Sequence, residues 1–275
     1  MSLPLVISPQ QLFNHLTDDN SANTGLLIVD LSSAESYCNG HIPGAIHLDP
    51  ARLMRGKGEV PNKMPEADQL SALLGEIGLT ADKHIVVYDD QMGPWAGRMI
   101  WTLHSVGHTH CSFLNGHLPA WINAGLAIET NINTAVPSQY AVTLQPGYLA
   151  DIPYITHHLD DASHIVLDVR SAAEYSGEKV INAKRGGHIP GAVNYEWTRA
   201  LVSADRPQLR PAEEILAELA ELGVTPDKTV ITHCQTHRRS GLSYLFTKHL
   251  GFDKVRCYDG SWFEWGNQED TPIES

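Results

Sequence analysis

Short apolar runs of four to six residues alternate along the chain with stretches whose apolar positions recur every three to four residues. Leu26-Leu-Ile-Val-Asp30, His84-Ile-Val-Val-Tyr88, Ile165-Val-Leu-Asp168 and Thr229-Val-Ile-Thr-His233 are of the first kind. Their shortness and β-branched content predict buried strands. Helical periodicity is clearest over 211–222, where Pro211 opens the segment, Glu213 and Glu214 sit in the first turn, and Ile215, Leu216 and Leu219 share a face; a helix dipole favours acids at that end. Gly223 closes this helix, and 69–77, ending at Gly78, predicts its counterpart in the first half. Strands separated by helices predict an α/β fold with mainly parallel sheets flanked by helices.

The two halves echo each other. Asp30 is followed by His41-Ile-Pro-Gly-Ala45, and Asp168 by His188-Ile-Pro-Gly-Ala192. His84 to Asp90 matches Thr229 to Cys234, and Gly97, Gly116 and Trp121 match Gly241, Gly260 and Trp265 at an offset of 144 residues. Constant spacing over such a length implies two copies of one fold. The smaller offset of 138 between Asp30 and Asp168 locates an insertion in the second copy near 176–185. Segment 129–140, rich in Asn, Thr, Pro and Ser, reads as a linker between domains 1–128 and 141–275.

Composition supports two packed cores: 275 residues, 42% of them hydrophobic. Nineteen basic against 32 acidic residues, a formal charge of −13, disfavours nucleic acid and anionic membranes as partners. No apolar run reaches the roughly 18 residues of a membrane span, and the N-terminal Met-Ser-Leu-Pro-Leu-Val lacks a basic region followed by an apolar run. The expectation is a soluble cytoplasmic protein. Cys38, Cys111, Cys234 and Cys257 are widely spaced, as reduced thiols rather than a disulfide framework would be.

Of these four, Cys234 stands apart. The predicted strand ending at His233 runs into Cys234-Gln-Thr-His-Arg-Arg-Ser-Gly241 and then into a helical pattern of Leu242, Leu245, Phe246 and Leu250, stopped by Gly251. The cysteine therefore occupies a strand-to-helix turn, where open α/β sheets bind ligands. Unpaired N–H groups at a helix start make an anion nest that stabilises a thiolate. Arg238, Arg239 and a protonated His237 would add positive charge and lower the thiol pKa. Between His233 and Arg256 there are five Lys or Arg residues and one acid, Asp253, a local exception to the acidic balance that suits an anionic substrate. By the offset, Asp90 falls where Cys234 falls and Trp95 where Arg239 falls, so the first copy is expected to be catalytically silent. Asp168 and Arg170 are expected to form a buried pair bracing the active loop.

These elements resemble the rhodanese family. Asp168-x-Arg170, Gly187-His-Ile-Pro-Gly-Ala192 and Gly260-Ser-Trp-x-x-Trp-Gly266 look like its signatures, in a tandem repeat covering nearly the whole chain. The loop is similar to the Cys-Gln-Thr-His-His-Arg-Ser loop of a bacterial thiosulfate:cyanide sulfurtransferase subgroup, with Arg238 in place of the second His. The resemblance implies a double displacement in which Cys234 carries the transferred sulfur as a persulfide. Gln235, Thr236, His237, Arg238, Arg239 and Ser240 would cradle persulfide and donor. A small anionic donor, a small thiophile or protein thiol as acceptor, and no cofactor are also implied. Arg185 stands where mercaptopyruvate-using members carry an arginine for the donor carboxylate, and Glu174 where the vertebrate thiosulfate enzyme carries a substrate-binding arginine.

Two rivals are weaker. Related cysteine phosphatases use five residues between Cys and Arg, whereas four separate Cys234 from Arg239, a smaller ring that suits one sulfur atom. The 3-mercaptopyruvate enzymes are expected to carry Cys-Gly-(Ser/Thr)-Gly-Val, unlike the loop here. His233, Cys234 and His237, or His108, His110 and Cys111, lack the second spaced ligand pair of structural zinc, so no metal is expected.

Overall fold

A computed structural model describes residues 3–17 and 25–275; Met1 and Ser2, at the start of the N-terminal run considered above, lie outside them. The first half holds strands β1 (Val6–Ile7), β2 (Leu26–Asp30), β3 (Ile46–His47), β4 (His84–Tyr88) and β5 (Cys111–Leu114). Its helices are α1 (Pro9–Thr17), α2 (Ala34–Asn39), α3 (Ala67–Glu76), α4 (Pro94–Ser105) and α5 (His117–Asn123). The second half repeats the series with β6 (Leu149–Ala150), β7 (His164–Asp168), β8 (Val193–Asn194), β9 (Thr229–His233) and β10 (Val255–Tyr258). Helices α6 (Ile152–His157), α7 (Ala172–Tyr175), α8 (Ala212–Glu221), α9 (Arg239–His249) and α10 (Ser261–Trp265) accompany them. The sheets run β1-β5-β4-β2-β3 and β6-β10-β9-β7-β8, all pairs parallel. Helices cover both faces, which explains the near-continuous apolar strands.

Strand register corrects one expectation. Asp30 lies opposite Tyr88, and Asp168 opposite His233. Tyr88 and His233 are therefore equivalent, and so are the residues that follow them, Asp89 and Cys234. The counterpart of the cysteine is Asp89, not Asp90; the first loop carries one extra residue before Gly97 and Gly241 come back into step. An alignment by motif spacing misses this because the offset measured at the glycines is carried back through a loop of unequal length.

The halves pack through α4 and α9, and one apolar cluster from Leu27 to Cys257 spans both, while each half keeps a second cluster of its own on the far side of its sheet. Matching contacts flank this seam. Asp259 Oδ2 accepts from Met64 N at 2.7 Å, while Asn115 Oδ1, its counterpart, accepts from Leu209 N at 2.8 Å. Residues 130–145 form no helix or strand and lie along α3, with Ser138 N donating to Gly75 O at 2.8 Å. His41 and His188 stack on Tyr37 and Tyr175 and engage their carbonyls through Nδ1, a structural feature that recurs with the repeat.

Candidate active site

Cys234 directly follows β9 and is 1% exposed. The start of α10 secures the loop beside it. Trp262 N and Phe263 N donate to the carbonyls of Cys234 and Gln235 at 3.0 and 2.9 Å, and Cys234 N donates to Ser261 Oγ at 3.4 Å. With carbonyls drawn outward, the N–H groups of Thr236 and Ser240 turn toward the sulfur, and Ser240 Oγ donates to Sγ at 3.5 Å. Burial by itself would raise the Cys234 pKa. The Arg239 charge, the Ser240 hydroxyl and these N–H groups outweigh it and pull the thiol below its ordinary value. Cys111 and Cys257 differ: burial pushes Cys111 up to about 12 and Cys257 well upward, the latter despite the charge of Arg98. Cys38 is exposed on α2.

His237 does not supply the expected charge. It is fully buried in a left-handed turn (φ 54°) against Trp101, and burial together with the charges of Arg98 and His233 holds its pKa well below the usual histidine value. The neutral ring has another use. Ser240 has one hydroxyl proton, directed to the sulfur, so His237 Nδ1, at 2.7 Å from Ser240 Oγ, must be the donor in that pair. His237 thereby orients Ser240.

The two arginines part company. Arg239 points inward and is gripped by Glu174 through bonds of 2.7 and 2.8 Å, while Arg238 is exposed and lies over the Trp95 ring of the first half, 5.4 Å from its centroid. Burial opposes the Glu174 charge, but Arg239 and Ser171 outweigh it and hold the carboxyl at about 2. Glu174 also closes a capping box with Ser171 at the start of α7.

Asp168 and Arg170 form a buried pair: Nε lies 2.9 and 3.0 Å from the two carboxylate oxygens, and Nη2 2.5 Å from Oδ2. Arg170 also donates to Gly187 O at 2.8 Å and covers the Trp262 ring, 4.4 Å from its centroid, tying segment 187–192 and α10 to the end of β7. The insertion reaches the loop itself through Ile181 O, which accepts from Gln235 Nε2 at 2.5 Å. Thr236 is half-buried.

Arg185 lies apart from this group. Its guanidinium donates to the carbonyls of Thr271 at 2.9 Å and Trp265 at 3.1 Å, and also to Gln268 O and Thr271 Oγ1. These bonds fasten the C-terminal segment, so the donors expected to meet a substrate carboxylate are already engaged with backbone.

Asp89 fills the first half's equivalent nest. Its Oδ1 accepts from Gln91 N and Gly93 N at 2.8 Å, and its Oδ2 from Trp95 N and Ala96 N at 2.9 Å. Asp90 turns outward to Ser33 N and Ser36 Oγ. Sequence reasoning passed over Ser261, Asp89 and the buried Arg98; a lone arginine inside the apolar helix α4 was the available signal for the last. Among the described residues, His158, Asp161 and His164 bring metal-binding atoms together at the other end of the sheet, where Tyr154, Ser163 and one another already satisfy them.

A Rhodanese-like domain model matches residues 8–124 and again 153–268. A thiosulfate sulfurtransferase of Pseudomonas aeruginosa is 45% identical over 272 residues, covering 99% of this chain and 97% of the relative. One of Azotobacter vinelandii is 45% identical over 273 residues, covering 99% and 98%. A 3-mercaptopyruvate sulfurtransferase of Escherichia coli is 29% identical, covering 89% and 87%. The crystal structure of YnjE superposes with a TM-score of 0.87 at 21% identity, covering 98% of this chain and 68% of that one, a likeness of fold. With a duplicated sheet order, matching domain models on both halves and full-length relatives at this identity, the chain belongs to the rhodanese family as a tandem of two rhodanese domains.

Proposed function

We propose that this protein is a thiosulfate sulfurtransferase in which Cys234 carries the sulfur as a persulfide. The observation that carries the reading is a buried thiol at a strand-to-helix turn, drawn toward its thiolate by Arg239, Ser240 and the loop N–H groups. The thiolate attacks the outer sulfur of thiosulfate; a Cys234 S–S bond forms, the S–S bond of the donor breaks, and sulfite leaves with the bonding pair. Charge is conserved, since thiolate and dianion become persulfide anion and sulfite dianion. A thiophile such as cyanide then takes the outer sulfur and restores the thiolate. Both steps proceed on the protein's own sulfur without a metal or organic cofactor.

Gln235 to Ser240 form the cradle, in which backbone N–H groups and the dipole of α9 stabilise the persulfide anion. Asp168 and Arg170 brace it. Arg238, at the rim over Trp95, is the cation that meets the incoming donor. Domain 1–128, whose nest holds Asp89, is silent, and 129–140 links it to the catalytic domain 141–275. No helix among the described residues is long and apolar enough to cross a membrane, in keeping with a cytoplasmic enzyme acting on small solutes. The engagement of Arg185 with backbone carbonyls favours thiosulfate over mercaptopyruvate as donor.

Thiosulfate should convert the protein to a form heavier by one sulfur atom, and cyanide should reverse the change with release of thiocyanate. Persistence of the mass shift in Cys234→Ala would overturn the assignment. A higher kcat/KM for mercaptopyruvate in a parallel assay would overturn the choice of donor.

A further inference from the structure

Arg98 belongs to α4 of the silent domain, yet its side chain reaches the active loop. The guanidinium is fully buried and none of its donors meets a carboxylate. Nε donates to Leu53 O at 3.0 Å and Nη2 to Asn62 O at 2.7 Å, both in its own domain. Nη1 crosses the interface to His237 O at 2.8 Å. His237 is the left-handed residue of the active loop, a conformation that a side chain with a Cβ keeps only when its surroundings hold it.

A buried guanidinium without a compensating anion is costly. Asp259, Cys234 and Cys257 face Arg98 with negative charge, and Arg238 faces it with like charge. From the other side, Cys234 feels Arg239, and His237 feels His233 as well as Arg98. Burial pushes Asp259 and Cys257 toward their neutral forms. Asp259 exerts the largest of these attractions on Arg98, with Cys234 next.

We propose that Arg98 is a positioning residue for sulfur transfer: anchored at Leu53 and Asn62, it draws the His237 carbonyl outward and keeps the loop N–H groups turned to the Cys234 sulfur. The inference rests on Cys234 being the sulfur acceptor. It also gives the silent domain a part in the chemistry, since the ring that receives the sulfur is held open from outside its own domain.

In the full-length protein, iodoacetamide alkylation of Cys234, mapped by peptide mass across pH, reports the thiolate, and steady-state kinetics with thiosulfate report transfer. Arg98→Met keeps the apolar stem and removes charge and donors. Its alkylation midpoint is expected to rise by about one pH unit, leaving roughly tenfold less thiolate below both midpoints. Its kcat should fall about as much, with a smaller change in KM. Arg98→Lys keeps the charge without the planar fork, so the midpoint should return toward wild type while kcat stays depressed. A folded Arg98→Met whose midpoint is unchanged and whose kcat stays within about twofold of wild type, whatever its Tm, sinks the proposal. If the Met variant does not fold, wild-type kcat in Arg98→Lys does the same. Sulfur uptake by Cys234→Ala would instead sink the assignment of Cys234, which separates the two claims.

Discussion

Gly97 and Gly241 touch where α4 and α9 cross: a Cβ built on Gly97 falls 2.5 Å from the carbonyl of Gly241, and one on Gly241 falls 2.5 Å from Arg98 N. The two residues are equivalent in the repeat, and only their missing side chains let the helices approach this closely. Arg98, next to Gly97, gains its reach to His237 from that approach.

Forcing the helices apart should therefore cost both stability and activity. Gly241→Ala meets backbone on the facing helix, which cannot swing aside as a flexible side chain would. A loss of roughly 1–3 kcal/mol in urea unfolding is expected, with a lower kcat for thiosulfate because the Arg98–His237 bond lengthens. An unchanged kcat would show that this bond tolerates the displacement.

The two neighbouring aspartates of the first half's equivalent loop should behave differently. Asp89→Ala leaves four N–H groups without their acceptor and should cost about 3 kcal/mol or more. Asp90→Ala removes an exposed contact to Ser33 and Ser36 and should cost less than about 1 kcal/mol. Chemical denaturation of the two variants checks the register directly, and the reverse ranking would return Asp90 to the nest.

Glu174 should make stability fall in acid. Its carboxyl is held at about 2 in the folded protein, against an ordinary value of 4.5. A depressed carboxylate contributes stability above the unfolded value and loses it as pH falls through the folded one. The window is thus about pH 4.5 down to 2, with up to roughly 3 kcal/mol at stake. Measured against Glu174→Gln, the advantage of the wild type should be present at pH 6 and vanish by about pH 2. A constant difference across that range would show that the carboxylate charge is not its source.

Arg185 should prove structural. Arg185→Met removes the donors that hold the carbonyls of Trp265, Gln268 and Thr271, so Tm should drop while KM for thiosulfate stays within about twofold of wild type. A large rise in KM with unchanged Tm would restore it to the donor site.

The loop around Cys234 was legible because its signals are local. A strand run, a cysteine, two arginines and a helical pattern follow one another without a gap, and strand-to-helix turns of parallel sheets are where N–H groups gather. Neighbouring signals could not say which arginine acts on the sulfur. Arg239 turns inward to Glu174 and Arg238 outward over Trp95, a choice made by α7 and by the other domain. His237 has a histidine's ordinary promise of charge until burial against Trp101 removes it.

By itself the sequence determined two α/β copies, the parallel order expected of them, and the strand-to-helix turn that holds Cys234. Each of these follows from periodicity and from spacing along one stretch of chain. Tertiary structure decided that Asp89 rather than Asp90 mirrors Cys234, that Arg185 fastens the C-terminal segment, and that Arg98 of the first half reaches the loop after Cys234. Strand register and helix approach set those outcomes, and both depend on packing between residues far apart in the chain, where a shift of one position changes which side chain enters the nest.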